Sequence, residues 1–223
     1  MNRPIALVFD VNETLLDLAP MREDFEAVFG PSPPLGEWFA RLLHGSLVAN
    51  HLNQFRPFSE IGVEALLALA GKLGTELDQP GAEALVARLE VLAAHRDVIP
   101  AMERLVDAGF KTAALTNGST RAANAQIENA GLHVFIQRVI SVDEVGRFKP
   151  DPTPYRYAAG QLEVEPLEML MVAAHDWDVA GAMRAGARGA YVARGGIPWS
   201  LPGIEPDVAV DDLGHLATVL DTG

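Results

Sequence analysis

Residues 5–15 read IALVFDVNETL. The run Ile5 to Phe9 is apolar without a break and then meets Asp10. A short continuous run of this kind predicts a strand buried on both faces, as in a parallel sheet covered by helices. A carboxylate at its end has two readings. Aspartate starts turns, so Asp10 can be a plain strand terminator. It can also stand at the carboxyl edge of a central strand, where open α/β sheets bind ligands and do chemistry.

Further apolar runs follow at KTAALTN (111–117), RVISVDEV (138–145), EMLMVAAH (168–175), ARGAYVAR (187–194) and PDVAVDDL (206–213). Helix-period segments lie between them at IPAMERLVDAG (99–109), TRAANAQIENAG (120–131) and WDVAGAMRAG (177–186). Each of those three ends in Ala-Gly, a helix stop signal. Alternating strands and helices predict a parallel sheet covered on both faces. Residues 17–96 differ: they offer helical patterns such as LGEWFARLLHGSLVANHL (35–52) and EIGVEALLALAGKLG (60–74), punctuated by prolines. A helical insertion is therefore expected to leave the sheet just after Asp10 and to lie over its carboxyl edge as a lid. The expected division is a core of residues 1–16 and 97–223 and a helical cap of residues 17–96.

Bulk properties narrow the function. The 223 residues hold no cysteine, which removes disulfides, thiolate metal sites and a cysteine nucleophile. The net charge of −13 repels phosphate backbones, so nucleic acid is not an expected partner. No apolar run approaches a membrane span, and the N-terminal run is too short for a signal peptide. A soluble cytoplasmic protein is expected, with no membrane partner and with a homodimer as a possible assembly. An anion site in so acidic a chain must be built locally, from a few cations and helix N-termini.

Four strand ends carry polar residues: Asp10, then Thr116-Asn117-Gly118, then Lys149-Pro150, then His175-Asp176-Trp177-Asp178. A parallel sheet projects all four from one edge. An ionised aspartate, a lysine to balance it and an amide at a helix start make a workable nucleophile and anion site.

These residues, in this order and spacing along almost the whole chain, resemble the haloacid dehalogenase superfamily. Within it they look most like the type II, or L-2-haloacid, dehalogenases. The resemblance implies a Rossmann-like core with an inserted cap, and hydrolysis of a carbon–halogen bond through an aspartyl ester without a metal or other cofactor. It casts Asp10 as nucleophile, with Thr14 hydrogen-bonding near it and Lys149 as its charge partner. Thr116 and Asn117 would hold the substrate carboxylate or the halide, and Tyr155 falls on a family position that can equally be core. Phosphatases of the superfamily usually place a second Asp at the position of Asn12 and a metal-holding carboxylate at that of Ala174. Both are missing, and a magnesium site needs such oxygen donors.

The sequence departs from the dehalogenase pattern as well. Asn12 stands where the family has an aromatic residue. His175 replaces an asparagine, while Trp177 and Asp178 are kept. The halide-side arginine is absent after Trp38, and Arg41 offers a substitute one turn on. His175 is either a hydrogen-bonded structural group or, beside Asp178, the base that activates water. Trp38, Phe39, Phe58 and Trp177 are candidates for an apolar pocket, with Trp38 and Phe58 as readily serving as packing. The expected substrate is a small halogenated carboxylic acid. A phosphatase of small phosphate esters and an idle protein on the same scaffold remain as alternatives.

Overall fold

The structure, a computed structural model, describes residues 3–221. A six-stranded parallel sheet forms its centre. The strands are β1 (Ala6–Phe9), β2 (Lys111–Thr116), β3 (Arg138–Ser141), β4 (Met169–Ala173), β5 (Arg188–Val192) and β6 (Val208–Val210), in the spatial order β3-β2-β1-β4-β5-β6. The apolar run at 5–9 is thus the middle of the sheet, with β2 on one side and β4 on the other. Its residues point alternately to two cores, Leu7 and Phe9 into one and Ala6 and Val8 into the other. That is why the run shows no polar alternation. Fully burying each of its larger side chains contributes roughly 1.5–3 kcal/mol.

Helices α5 (Val98–Asp107), α6 (Thr120–Asn129) and α9 (Leu213–Asp221) supply apolar residues to the first core. Helices α7 (Pro152–Gln161) and α8 (Asp176–Arg184) supply the second. The expected stops at Gly109 and Gly131 have φ of 84° and 69°, the left-handed backbone that favours glycine. The two outer runs are shorter strands than the sequence suggests. After Ser141 the chain turns into a short 3-10 segment over Val142–Glu144, and Leu213 already begins α9.

Residues between β1 and α5 form α1 (Met21–Phe29), α2 (Leu35–His51), α3 (Phe58–Leu73) and α4 (Gln79–Ala87). The chain leaves and returns side by side: Asp17 N–H donates to Ala93 O (3.0 Å) and His95 N–H to Leu15 O (2.9 Å). Trp38 is fully buried, its indole N–H donating to Gly62 O at 2.9 Å, so it packs α2 against α3. The amide of Asn50 on α2 grips the loop before Lys149 from both sides, accepting from Phe148 N (2.9 Å) and donating to Phe148 O (2.7 Å). Among the described residues no helix is long and apolar enough to cross a membrane.

Candidate active site

Asp10 follows β1 directly and is 6% exposed. Its neighbours come from the adjacent strand ends, as the strand order requires. Lys149 reaches it from the loop before α7, with Nζ 2.8 Å from Asp10 Oδ1, 2.6 Å from Asp178 Oδ2 and 2.9 Å from Leu115 O. All three ammonium protons are thereby used. Thr14 donates to Asp10 Oδ2 (2.9 Å) and accepts from Ala174 N (2.9 Å), tying the loop after β1 to the end of β4. The Asn117 side-chain carbonyl accepts from Lys149 N (2.9 Å), and Thr116 Oγ1 accepts from Gly118 N (3.0 Å). Asn117 and Thr116 thus shape the loop that presents Lys149 and the turn that starts α6.

The electrostatics follow from this packing. Burial alone would raise the Asp10 pKa, but the Lys149 charge and the His175 hydrogen bond outweigh it, and the carboxyl is held far below its usual range. Burial likewise works against the Lys149 charge, and the two carboxylates overcome it and raise its pKa. Asp178, completely buried, is pushed up by burial, with Lys149 opposing and Asp10 adding to the effect. Tyr155 OH donates to Asp178 Oδ1 at 2.6 Å, and burial together with that charge keeps the phenol protonated. Tyr155 therefore belongs to the cluster as well as to the core.

Three expectations change here. His175 does not stand beside Asp178. Its Nδ1 lies 3.2 Å from Asp10 Oδ2 and its Nε2 2.9 Å from Glu13 Oε2. Burial lowers its pKa, but the hydrogen bonds and charges of Asp10 and Glu13 raise it to about 10. The resting group is an imidazolium and not a free base. Its ring lies between those of Phe39 (6.1 Å) and Trp177 (5.3 Å), both near parallel to it, an arrangement that favours the cation. Asp178 has both oxygens committed, to Lys149 and Tyr155, and does not face water; it positions Lys149. Arg41 pairs with Glu37 (2.9 Å) on the exposed side of α2 and is not brought to the cluster.

Glu13 was not among the residues singled out from sequence. It sits in the loop after β1 at φ 62°, a left-handed conformation that is uncommon for a non-glycine residue and that concentrates at functional sites. Arg194 was missed too: it donates to Thr14 O (2.9 Å) and pairs with Asp97 (2.7 Å), fastening that loop from beyond β5. Neither residue carries a local signal, because each partner is distant in sequence.

Above Asp10 is a slot lined by Asn12, Phe39, Leu43, Phe58, Thr116, Asn117, Lys149, His175 and Trp177. Phe39, Phe58 and Trp177 thus contribute the apolar wall, and Asn12 accepts from Gln126 Nε2 at 2.8 Å. The donor set does not suit magnesium. The ammonium of Lys149 already fills the place between Asp10 and Asp178, and position 174 is alanine.

Known proteins resemble the chain along most of its length. Residues 6–186 match the family model of haloacid dehalogenase-like hydrolases. The (S)-2-haloacid dehalogenase of Xanthobacter autotrophicus is 32% identical over 194 residues, covering 85% of this chain and 75% of that one. The (S)-2-haloacid dehalogenase 2 of Pseudomonas sp. strain CBS-3 is 28% identical over 220 residues, covering 96% and 95%. The solved L-2-haloacid dehalogenase of Xanthobacter autotrophicus with covalently bound chloropropionic acid superposes with a TM-score of 0.89 at 26% identity, covering 98% of each chain.

Proposed function

We propose a reaction from this premise: the chain belongs to the haloacid dehalogenase-like hydrolases. The reaction is hydrolytic dehalogenation of a 2-haloacid to the 2-hydroxyacid. One observation carries it: a carboxylate kept ionised by a buried lysine lies at the floor of a slot with one apolar wall, of Phe39, Leu43, Phe58 and Trp177. An anion with no proton to give, facing an apolar wall, is equipped for displacement at carbon. Helices α1–α4 act as the cap, residues 17–96, over a core of residues 1–16 and 97–223.

Asp10 Oδ2 attacks C2 from behind, halide leaves with the bonding pair, and an ester forms. Oδ1 stays on Lys149. The substrate carboxylate is held at the Thr116-Asn117 turn, whose side chains line the slot beside Lys149. Once Asp10 is an ester its charge is gone, and with it the largest support for the His175 proton. Nδ1 then has no anion to hold its proton, which leaves to solvent, and His175 becomes the base with its Nε2–H still donating to Glu13. Water gives a proton to Nδ1 and adds to the Asp10 carboxyl carbon; Lys149 faces the oxyanion. Collapse releases the hydroxyacid and restores carboxylate and imidazolium. The base is made by the first half-reaction and is absent before it.

A single turnover in ¹⁸O-water with enzyme in excess tests the covalent route. The first hydroxyacid is expected to be unlabelled and the peptide containing Asp10 labelled. Label mainly in the first product would mean that water attacks the halogenated carbon directly, and Asp10 would lose its role as nucleophile.

A further inference from the structure

The slot at Asp10 has a free volume of only about 20 Å³, room for roughly one water. Beside it lies a solvent-open cleft of about 600 Å³, bounded by α3 and α4 on one side and the start of α6 on the other. Asn12 and Phe58 line both spaces, and the turn that contributes Asn117 to the slot continues as Gly118 and Ser119 along the cleft. The inner wall is apolar, with Leu42, Val63, Val86 and Leu89 all buried. Glu60, Glu64, Glu83 and Glu90 also line the cleft; Glu90 is paired with Arg121 (2.9 Å) and Glu64 with Arg56 (2.6 Å), which leaves Glu60 and Glu83 as the lining carboxylates without a salt bridge among the described residues.

We infer that this cleft receives the substituent on C2 of the substrate, so that the protein acts preferentially on 2-haloacids with an extended, uncharged side chain. The inference rests on the dehalogenation reading and refines its substrate class. A haloacid does not fit the space of one water, and the substituent continues past Asn12 and Phe58 into the larger volume. Apolar walls bury a hydrocarbon chain. Glu60 and Glu83 repel a second acid group, so the substrate binds with its one carboxylate at the Thr116-Asn117 turn and its tail toward α3 and α4.

Halide release from 2-bromopropanoate, 2-bromohexanoate, 2-bromooctanoate and 2-bromohexanedioate provides the test. We expect kcat/KM to rise by up to about fourfold per added methylene along the monoacids, the gain for burying one such group. The dioic acid is expected to fall about tenfold below 2-bromohexanoate, as a like-charge contact in a partly enclosed site requires. Ala122→Phe from α6 and Ala87→Phe from the end of α4 fill the cleft from two sides, at positions not fully buried. Each is expected to lower the octanoate-to-propanoate ratio of kcat/KM about tenfold, the loss from two or so unburied methylenes. A flat chain-length series, or a ratio that survives both substitutions, overturns the inference while leaving the reaction standing. No halide from any of the acids overturns both.

Discussion

At the scale of single residues, the cluster separates two jobs that the sequence merges. Lys149 neutralises Asp10 and is itself held by Asp178, which Tyr155 holds in turn, whereas His175 answers to Asp10 and Glu13. His175→Ala is therefore expected to leave ester formation largely intact and to slow hydrolysis by about 10²–10⁴-fold, the usual span of a general base. Intact-protein mass spectrometry after mixing with substrate reads the adduct; a variant that turns over normally with no adduct returns His175 to a structural role. The raised pKa of His175 also has a stability consequence. Its folded value of about 10 exceeds the ordinary 6.5, so the stabilisation is complete below about pH 6.5 and is lost as pH climbs through 10. Urea midpoints of the resting protein are thus expected to fall between these limits, and His175→Gln is expected to flatten that fall. Equal slopes in the two proteins would show that the ring is not held as a cation. Asp10, Lys149 and Asp178 were legible in sequence because each ends or follows a strand run. Glu13 was not, since nothing in the letters DVNET tells which side chain reaches back across 162 positions to His175.

Among the elements, α8 does more than cover the sheet. It carries Asp178 in its first turn, and at Gly181 it approaches the loop of Lys149 and helix α7 very closely. A Cβ at Gly181 would stand 2.5 Å from Pro150 Cβ and 2.8 Å from the Tyr155 hydroxyl. Gly181→Ala is expected to destabilise the fold by about 1–3 kcal/mol, as overpacking does. Because the displaced groups position Lys149 and Asp178, halide release is expected to fall more than stability alone explains. A Gly181→Ala protein of normal activity and melting temperature would mean that α8 has slack here. The sequence showed α8 through its periodicity and its stop, but it hid why Gly181 is glycine, which is a matter of two other elements meeting it. For the same reason α7 and α9 escaped notice: their apolar stripes are short, and tertiary packing, not intrinsic pattern, holds them as helices.

For the molecule as a whole, the acidic surface works against the two cations of the site, Lys149 and His175. The chain carries a net charge of −13, yet the groups that face an incoming haloacid include the buried ammonium of Lys149 and the imidazolium of His175. Far from the surface the anionic substrate feels the summed negative field, which slows encounter. Within the slot it is a few ångströms from fixed cations in a poorly screened setting, and that attraction varies little with salt. Added salt screens the first effect far more than the second. kcat/KM for a 2-haloacid is therefore expected to rise severalfold between about 10 mM and about 200 mM of an inert salt, over which the screening length shrinks to under about 10 Å. kcat, set after binding, is expected to stay nearly constant across the same range. The salt must be free of halide, because halide is a product of the reaction and added halide masks its release. If kcat/KM instead falls as salt rises, attraction by Lys149 and His175 reaches beyond the cap and dominates the approach. A kcat/KM that does not change with salt would mean that the barrier to entry is mechanical, set by the opening of helices α1–α4 and not by the charge of the surface.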